Sequence, residues 1–329
     1  MGSADVSLRP HTGDTAAVLA APESFESWQT QQLARVEQAL SQWVRLDGPA
    51  QDAAAASGLV AAMRYAVLDG GKRLRPLLVL AAAQALGGHP QAALRAACAA
   101  ELIHAYSLVH DDLPCMDNDV LRRGKPTVHV QFGQAQALLA GDALQALAFE
   151  LLTPDAASVP PPLQAALCGL LARAAGAAGM AGGQAIDLAS VGLQLTPAQL
   201  GQMHRLKTGA LLQGSVQMGA ACVGTPMAHQ VQQAQQALAD YGAAIGLAFQ
   251  VVDDVLDVTA DAQALGKTAG KDAAQGKPTY VSLLGLAAAQ AYAQTLLAQA
   301  LAALDVLEGC GFASAHLRTL AGKLVNRQS

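Results

Sequence analysis

The sequence predicts an all-α protein built as a single large helical bundle around a central cavity. Alanine, leucine and glutamine recur with gaps of three and four residues along nearly all of the chain after Phe25, which is the helical period. These residues are strong helix formers, and stretches of alternating β-branched residues are few. With 329 residues, of which 52% are hydrophobic, the chain can bury one large core between long helices.

Glycine and proline clusters divide this pattern into successive helices, at sites such as Gly182-Gly183 and residues 160–162. The predicted helices span residues 26–46, 52–67, 74–86, 91–112, 134–152, 162–179, 197–221, 227–257, 280–304 and 314–326. Residues 1–24 have neither a basic start nor a continuous apolar stretch. We therefore predict a disordered N-terminal tail, followed by one domain over residues 25–329.

Composition argues against several classes of function. The net charge of −5 and the aromatic content of 4% are unlike a nucleic-acid-binding surface. No uncharged apolar run reaches the length of about 18 residues that is typical of a membrane span, so we expect no stable membrane insertion. The five cysteines lie far apart and lack metal-ligand spacing, which favours reduced thiols in a cytoplasmic protein.

Two clusters of aspartates stand out in a chain of which only 14% is charged, one at residues 111–117 and one at residues 253–257. Like charges this close repel each other unless a cation neutralises them. Magnesium prefers oxygen ligands and usually shares its coordination shell with substrate phosphates. Two facing acidic clusters therefore predict a magnesium clamp for a diphosphate.

The spacing within each cluster supports this prediction. Asp253 and Asp257 are four residues apart and share one helix face, and Gln250 can reach the same face. Asp117 follows Asp111 by six residues, so a straight helix would direct it elsewhere. Because proline disrupts a helix, we expect the helix to end or bulge at Pro114 and return Asp117 to the same cation.

Basic segments accompany the acidic clusters although the chain has only 20 lysines and arginines. Glycine allows close approach of the backbone to a ligand, and arginine binds phosphate through two parallel hydrogen bonds. Together these segments predict a pocket for two anionic groups, one bridged by metal and one held by lysine and arginine alone. The candidate residues are Gly71, Lys72, Arg75, Arg122, Arg123, Lys207, Thr208 and Lys267.

As an ordered set, these motifs resemble those of the trans-isoprenyl diphosphate synthases, in particular their bacterial and plastid short-chain branch. The resemblance covers residues 63–279 and includes both acidic clusters and residues 70–76, 183–187 and 266–268. It implies the isoprenoid synthase fold, a homodimer, three magnesium ions and head-to-tail prenyl transfer. The substrates implied are isopentenyl diphosphate and an allylic diphosphate, either dimethylallyl or geranyl diphosphate.

The resemblance also implies a role for each candidate residue. Magnesium would bind Asp111, Asp117 and Asp253, with Asp112 and Asp257 acting directly or through water. Positive charge for the leaving diphosphate would come from Arg122, Lys207 and Lys267. Lys72, Arg75 and Arg123 would hold isopentenyl diphosphate, while Thr208 and Gln250 would stabilise the allylic cation. Gln84 occupies a position at which we expect a substrate-binding histidine in relatives, and His104 and His110 are interpreted as helix and core residues.

Product length is predicted from the residues that precede the first acidic cluster. Ser107 and Tyr106 lie four and five residues before Asp111, about 6–7.5 Å deeper along the helix. Ser107 leaves space, whereas the bulky Tyr106 would close the floor of the cavity. In the resembling family an aromatic residue here implies a fifteen-carbon product, farnesyl diphosphate, and smaller residues imply the twenty-carbon geranylgeranyl diphosphate.

Other functions remain as alternatives. A terpene cyclase or a head-to-head synthase would also ionise a prenyl diphosphate but needs no basic site for isopentenyl diphosphate. A non-catalytic synthase subunit should have lost an acidic cluster, and this chain keeps both. A plain magnesium or calcium sensor is disfavoured because the sequence contains no EF-hand loop.

Overall fold

The computed structural model describes residues 24–45, 54–68, 70–193, 195–224, 228–259 and 278–327. Over these residues the chain is helical apart from one small ribbon, which confirms the all-α prediction. In chain order the elements are α1 (Phe25–Trp43), α2 (Ala54–Val67), α3 (Leu74–Ala85), α4 (Pro90–Asp111), β1 (Leu121–Arg122), β2 (Lys125–Pro126), α5 (Val128–Phe132), α6 (Gln134–Leu152), α7 (Pro161–Ala175), α8 (Met180–Ala189), α9 (Pro197–His204), a π-helical turn (Arg205–Gly209), α10 (Ala210–Ala221), α11 (His229–Thr259), α12 (Tyr280–Leu284), α13 (Leu286–Gly309) and α14 (Ala315–Val325).

The core lies where α3, α4 and α10 pack against one another, with α6 against α4, α11 against α10 and α13 against α11. Leu78 of α3 and Ile103 of α4 are fully buried there. Alanine occupies many of the remaining core positions, and its small side chain lets helices approach closely. Tyr241 of α11 is also buried, and its hydroxyl donates to the carbonyl oxygen of Leu317 at 2.9 Å.

Local capping groups set several helix starts. The Ser24 side chain accepts from the Ser27 N–H at 3.2 Å just before α1 begins at Phe25. Thr196 and Gln199 form a capping box at the start of α9. Each cap satisfies an N–H group that the helix cannot pair internally, so these starts are encoded locally.

Three helix predictions were wrong in detail. The helix predicted over residues 162–179 ends at Ala175, and α8 then runs through Gly182-Gly183, where a break was expected. The helix predicted over residues 280–304 is interrupted at Gly285, whose φ of 81° suits glycine. The helix predicted over residues 197–221 contains the π-helical turn.

Three helical stretches of the described chain are long and apolar enough to cross a membrane by length and composition alone. They are residues 90–111, 134–152 and 161–189, and 72%, 39% and 33% of their apolar windows are buried inside the bundle. The first is therefore mainly a core helix. The expectation of no membrane insertion stays a prediction.

Candidate active site

The first acidic cluster sits where α4 ends and the chain turns. The Asp117 N–H donates to the carbonyl oxygen of Asp111 at 2.9 Å. The carbonyl oxygen of Leu113 accepts from the N–H groups of Met116 and Asn118 at 2.9 and 3.1 Å. These bonds replace the helical pattern and return Asp117 towards Asp111, so the predicted helix end near Pro114 is confirmed.

A β-hairpin next to this turn carries two candidate cations. Arg122 pairs with Lys125 across the β1–β2 ribbon, and the two connecting residues, Arg123 and Gly124, have φ values of 53° and 76°. Positive φ at both central residues is typical of a type I′ turn, the connection best suited to a tight hairpin. The hairpin thereby fixes the direction in which both arginines leave the backbone.

Asp112 is bound by protein and is only 2% exposed. Arg122 donates to it from Nε at 2.8 and 3.1 Å and from Nη2 at 2.6 Å. A bidentate pair of arginine and carboxylate is among the stronger hydrogen-bonded interactions in proteins. In this structure Asp112 therefore anchors the hairpin, and its proposed contact with magnesium would require a rearrangement or a bridging water.

Asp111 lies in a negatively charged environment. Burial raises the pKa of its carboxyl to about 6, with further upward contributions from Asp117 and Asp112. Lys207 and Arg122 act in the opposite direction. A carboxylate with a raised pKa beside two others fits a divalent cation, which would relieve the repulsion between them.

The second acidic cluster lies within the unbroken helix α11. Asp253 forms an ion pair with Arg327, whose guanidinium carbon lies 4.5 Å from the ring centre of Phe249. Asp254 is 2% exposed and accepts from Gln250 Nε2 at 2.8 Å and from the Tyr280 N–H at 2.7 Å. Asp254 is therefore structural, whereas Asp253 and Asp257 are half-buried and share the neighbouring face.

The π-helical turn presents Lys207 and Thr208. Lys207 Nζ donates to the buried Asp187 of α8 at 2.5 Å, and Thr208 Oγ1 donates to Gln250 Oε1 at 3.0 Å. α8 crosses this turn so closely that a Cβ on Gly183 would lie 2.0 Å from the backbone nitrogen of Lys207. Glycine is required there, and the crossing holds Lys207 in place.

Lys72 and Arg75 lie within electrostatic reach of the second cluster. Burial and the Arg327 charge lower the pKa of Lys72, and Asp253 raises it. Arg75 is 9% exposed, and its Nε has no hydrogen-bond partner among the described residues. Burial lowers the pKa of Arg75, which also responds to Glu101, Asp253 and Arg123. A buried arginine with an unused donor is suited to receive an anion.

Gly71 allows Arg123 to approach the segment that carries Lys72 and Arg75. A Cβ at Gly71 would lie 2.8 Å from Nη1 of Arg123, and the φ of Gly71 is 129°. Arg123 Nη1 also donates to the carbonyl oxygen of Gly70 at 2.6 Å. The glycine turn thus joins the hairpin to the segment that carries Lys72 and Arg75.

His104 belongs to the same cluster, although the sequence interpretation left it in the core. Burial lowers its pKa well below the usual value, and four arginines add to this effect: Arg75, Arg123, Arg122 and Arg73. The residue lines a cavity of about 70 Å³ with Glu101 and three of these arginines. His104 precedes Asp111 by seven residues, or two helical turns, and this spacing was the signal that could have revealed it. We call Lys72, Arg75, His104 and Arg123 the basic seat.

The structure does not bring Gln84 to the basic seat. Gln84 lies near the end of α3, roughly 13 Å along the helix from Arg75. Its side-chain oxygen accepts from Nε1 of Trp28 at 2.6 Å, so it helps pack α1 on α3. Gln84 therefore lies apart from the basic seat and is bonded to Trp28, and its substrate role stays a prediction.

Tyr106 and Ser107 are both half-buried on α4. The Tyr106 ring meets His110 edge to face with ring centres 5.7 Å apart, and Ser107 Oγ donates to the carbonyl oxygen of His104 at 2.9 Å. Burial raises the pKa of the Tyr106 hydroxyl, and the Asp111 charge adds to this effect. Tyr106 therefore lies on the helix that carries the acidic cluster and feels its charge.

Comparison with known proteins identifies the family. The family description "Polyprenyl synthetase" matches residues 57–306. The chain belongs to the polyprenyl synthetase family. It is 51% identical over 277 residues to a probable farnesyl diphosphate synthase from Bradyrhizobium diazoefficiens, covering 84% of this chain and 80% of that protein.

Two further members of the polyprenyl synthetase family bear on product and cofactor. The chain is 48% identical over 240 residues to the large subunit 1 of a chloroplastic heterodimeric geranylgeranyl pyrophosphate synthase from Arabidopsis thaliana, covering 71% of this chain and 63% of that protein. A crystal structure of the geranyltransferase from Helicobacter pylori, complexed with magnesium and isoprenyl diphosphate, has a TM-score of 0.78 and 35% identity. The match covers 93% of this chain and 98% of the Helicobacter pylori chain.

The donor set of this chain fits magnesium. The candidate ligands Asp111, Asp117, Asp253 and Asp257 are all carboxylates, the oxygen donors that magnesium prefers. Within the described ranges, no three histidine, cysteine, aspartate or glutamate side chains form a group able to hold a metal alone. A diphosphate that supplies further oxygens would complete such a shell. Lys267, the remaining candidate cation, lies outside the described residues.

Proposed function

We propose that this chain catalyses magnesium-dependent head-to-tail prenyl transfer. It condenses isopentenyl diphosphate with dimethylallyl or geranyl diphosphate to give farnesyl diphosphate and inorganic diphosphate. The observation that carries the proposal is the basic seat, in which the buried Arg75 has an Nε without a hydrogen-bond partner among the described residues and Arg123 packs against Gly71, within electrostatic reach of Asp253 in the second acidic cluster. The 51% identity with a probable farnesyl diphosphate synthase supports the same conclusion.

The acidic clusters bind the allylic substrate. Asp111, Asp117, Asp253 and Asp257 would hold the magnesium ions, three in all. Asp112, whose oxygens accept from Arg122, would act through water. When bound, magnesium neutralises the charge that develops on the departing diphosphate. The carboxylates orient this group so that its bond to the allylic carbon can break.

Cationic side chains stabilise the leaving diphosphate. Lys207, which Asp187 holds in place, supplies fixed positive charge, and Arg122 and Lys267 add to it. The electron pair of the carbon–oxygen bond leaves with the diphosphate and an allylic cation remains. Thr208 and Gln250, already bonded to each other, direct oxygen dipoles towards that cation.

The basic seat binds isopentenyl diphosphate. Lys72, Arg75 and Arg123 contact its phosphate oxygens, and Gly71 leaves room for their approach. His104 stays neutral among the arginines and donates one N–H. The double bond of isopentenyl diphosphate supplies the electron pair for the new carbon–carbon bond, and the proton that is lost passes to the released diphosphate.

Tyr106 closes the product cavity at fifteen carbons, and Ser107 leaves room above it. If Tyr106 forms the floor, Tyr106→Ala should shift the main product to twenty carbons or more, which chromatography of dephosphorylated products would detect. Ser107→Ala, which removes only a hydroxyl bonded to the backbone, is the matched control and should keep the fifteen-carbon product. An unchanged product from Tyr106→Ala would refute this role.

A second copy of this chain is the proposed partner. Leu138 and Leu139 of α6 are 49% and 52% exposed, and much of α6 and α7 is apolar without being covered by the bundle. Exposed apolar patches of this kind mark interfaces. We therefore propose a cytoplasmic homodimer, which analytical ultracentrifugation would test.

The decisive experiment supplies purified protein with magnesium, isopentenyl diphosphate and a five- or ten-carbon allylic primer. Farnesyl diphosphate and released diphosphate are the expected products, and chelation of magnesium should abolish both. Cyclic hydrocarbons formed without isopentenyl diphosphate would instead identify a terpene cyclase. Absence of diphosphate release would favour a non-catalytic subunit.

A further inference from the structure

The basic segment at residues 70–76 contains Arg73, to which the proposed function assigns no role. Arg73 lies between Lys72 and α3, is 4% exposed, and has a φ of 45°. A residue with a side chain adopts this left-handed conformation only when its surroundings hold it there. Burial of a guanidinium likewise requires partners.

Three helices supply those partners. Arg73 donates from Nε and Nη2 to the two carboxylate oxygens of Glu37 on α1 at 2.6 and 3.1 Å. Nη1 donates to Glu101 on α4 at 2.9 Å, and Nη2 also donates to the carbonyl oxygen of Val67 at the end of α2 at 2.7 Å. Because protein acceptors take most of the N–H donors, Arg73 is poorly suited to bind a diphosphate itself.

Glu101 is the more informative of the two carboxylate partners. It is 3% exposed and lines the same cavity as His104, whereas the Glu37 side chain is 40% exposed. Without Arg73, solvent would stabilise Glu37, but Glu101 would remain a buried and unneutralised charge. Arg75 is the buried cation of the basic seat, and the Glu101 charge acts to raise its pKa, so the two buried groups lie within electrostatic reach of each other.

We propose that Arg73 is a positioning residue which neutralises Glu101 and so prevents that carboxylate from pairing with Arg75. Arg75 can therefore bind the diphosphate group of isopentenyl diphosphate. The inference rests on the proposed function of the basic seat. It also explains why a charged residue is placed among substrate-binding cations without facing the substrate.

The test is calorimetric titration of the full chain with isopentenyl diphosphate in the absence of magnesium, together with steady-state KM values for both substrates. Arg73→Met should raise the Kd and KM for isopentenyl diphosphate by about tenfold or more, and should change the KM for geranyl diphosphate by less than about twofold. In Arg73→Met/Glu101→Gln, the affinity for isopentenyl diphosphate should return to within about threefold of the unsubstituted chain.

The matched control is Arg318→Met. Arg318 also bonds two carboxylates, Asp305 and Glu308, but lies on α14 away from the basic seat. Its replacement should leave both KM values unchanged. If the double variant binds as weakly as Arg73→Met, or if both KM values rise equally, Arg73 acts by direct contact or by general support of the fold and the proposal is wrong.

Glu101→Gln alone decides the question if Arg73→Met does not fold, which far-UV circular dichroism would detect. This variant keeps the Arg73–Glu37 pair and removes the part of the Glu101–Arg75 attraction that Arg73 does not offset, so isopentenyl diphosphate should bind about two- to fivefold more tightly. Unchanged or weaker binding would overturn the proposal. Failure of the unsubstituted chain to bind isopentenyl diphosphate would instead refute the proposed function.

Discussion

In both acidic clusters the second aspartate is buried while its neighbours remain accessible. Asp112 and Asp254 are each 2% exposed and are fully engaged with protein donors. Asp111 and Asp253 are half-buried and border the proposed substrate site. The same local pattern therefore divides its carboxylates into one that is buried and anchors the backbone and others that are half-buried.

The clusters differ in how the anchor is held. Asp112 pairs with Arg122, ten residues further along the chain and on the adjoining hairpin. Asp254 accepts from Tyr280, across 26 residues, and Asp253 pairs with Arg327, across 74 residues. The first cluster is thus organised locally, whereas the second depends on the C-terminal helices.

The largest expected effect separates the accessible aspartates from the buried ones. Asp111→Asn and Asp253→Asn should each lower kcat on the order of 1000-fold, because a lost ligand weakens metal stabilisation by several kcal/mol. Steady-state assays at saturating magnesium measure this. Asp305→Asn, at an exposed aspartate on α13, serves as the control and should retain full activity. A loss below about tenfold for either variant would contradict the assigned metal role.

Asp112 should matter for stability as well as for activity. Asp112→Ala leaves Arg122 without its buried partner and should lower the free energy of unfolding by about 3–5 kcal/mol in urea titrations. Asp305→Ala removes an exposed partner of Arg318 and should cost less than about 1 kcal/mol. Equal losses in the two variants would show that burial of Asp112 does not distinguish it.

Asp111 should lower the free energy of unfolding in a pH-dependent way. Its pKa in the folded state is about 6, above the ordinary value of 3.8, so ionisation disfavours folding above pH 6. Without magnesium at pH 7.5, Asp111→Asn should therefore raise the free energy of unfolding by about 1–3 kcal/mol. The advantage should shrink as the pH falls from 6 to 3.8 and vanish below 3.8, where the Asp111 carboxyl is protonated in both the folded and the unfolded state.

Urea titrations across this pH range measure the difference. Addition of magnesium with inorganic pyrophosphate should diminish it, because bound cations relieve the repulsion at Asp111. A variant that is less stable than the unsubstituted chain at pH 7.5 would show that Asp111 is not electrostatically strained.

The smallest expected effect concerns Arg327, the cation that pairs with Asp253. Arg327→Gln removes a charge that competes with magnesium and should lower the magnesium concentration for half-maximal activity by about two- to fivefold. Arg318→Gln is the control and should leave this concentration unchanged. A higher magnesium requirement would mean that Arg327 assists binding at this cluster.

The sequence by itself determined the helical class, both acidic clusters and the turn at Pro114. Each depends on spacing within one or two helical turns, where neighbours along the chain are also neighbours in space. For the same reason, the short glycine-containing segment at residues 70–76 predicted that Lys72 and Arg75 lie close together. The break expected at Gly182-Gly183 was wrong because Gly183 allows a close helix crossing at Lys207 and Gly182 packs against the carbonyl oxygen of Ala177.

Only the tertiary structure decided which polar residues meet across the bundle. It placed His104 among the arginines, moved Gln84 to the α1–α3 contact, and paired Arg327 with Asp253. It also buried Asp112 and Asp254 while leaving their neighbours accessible. These outcomes depend on which helix faces pack together. Apart from the two-turn spacing of His104 from Asp111, contacts between residues far apart in the chain leave no local signal in spacing or composition.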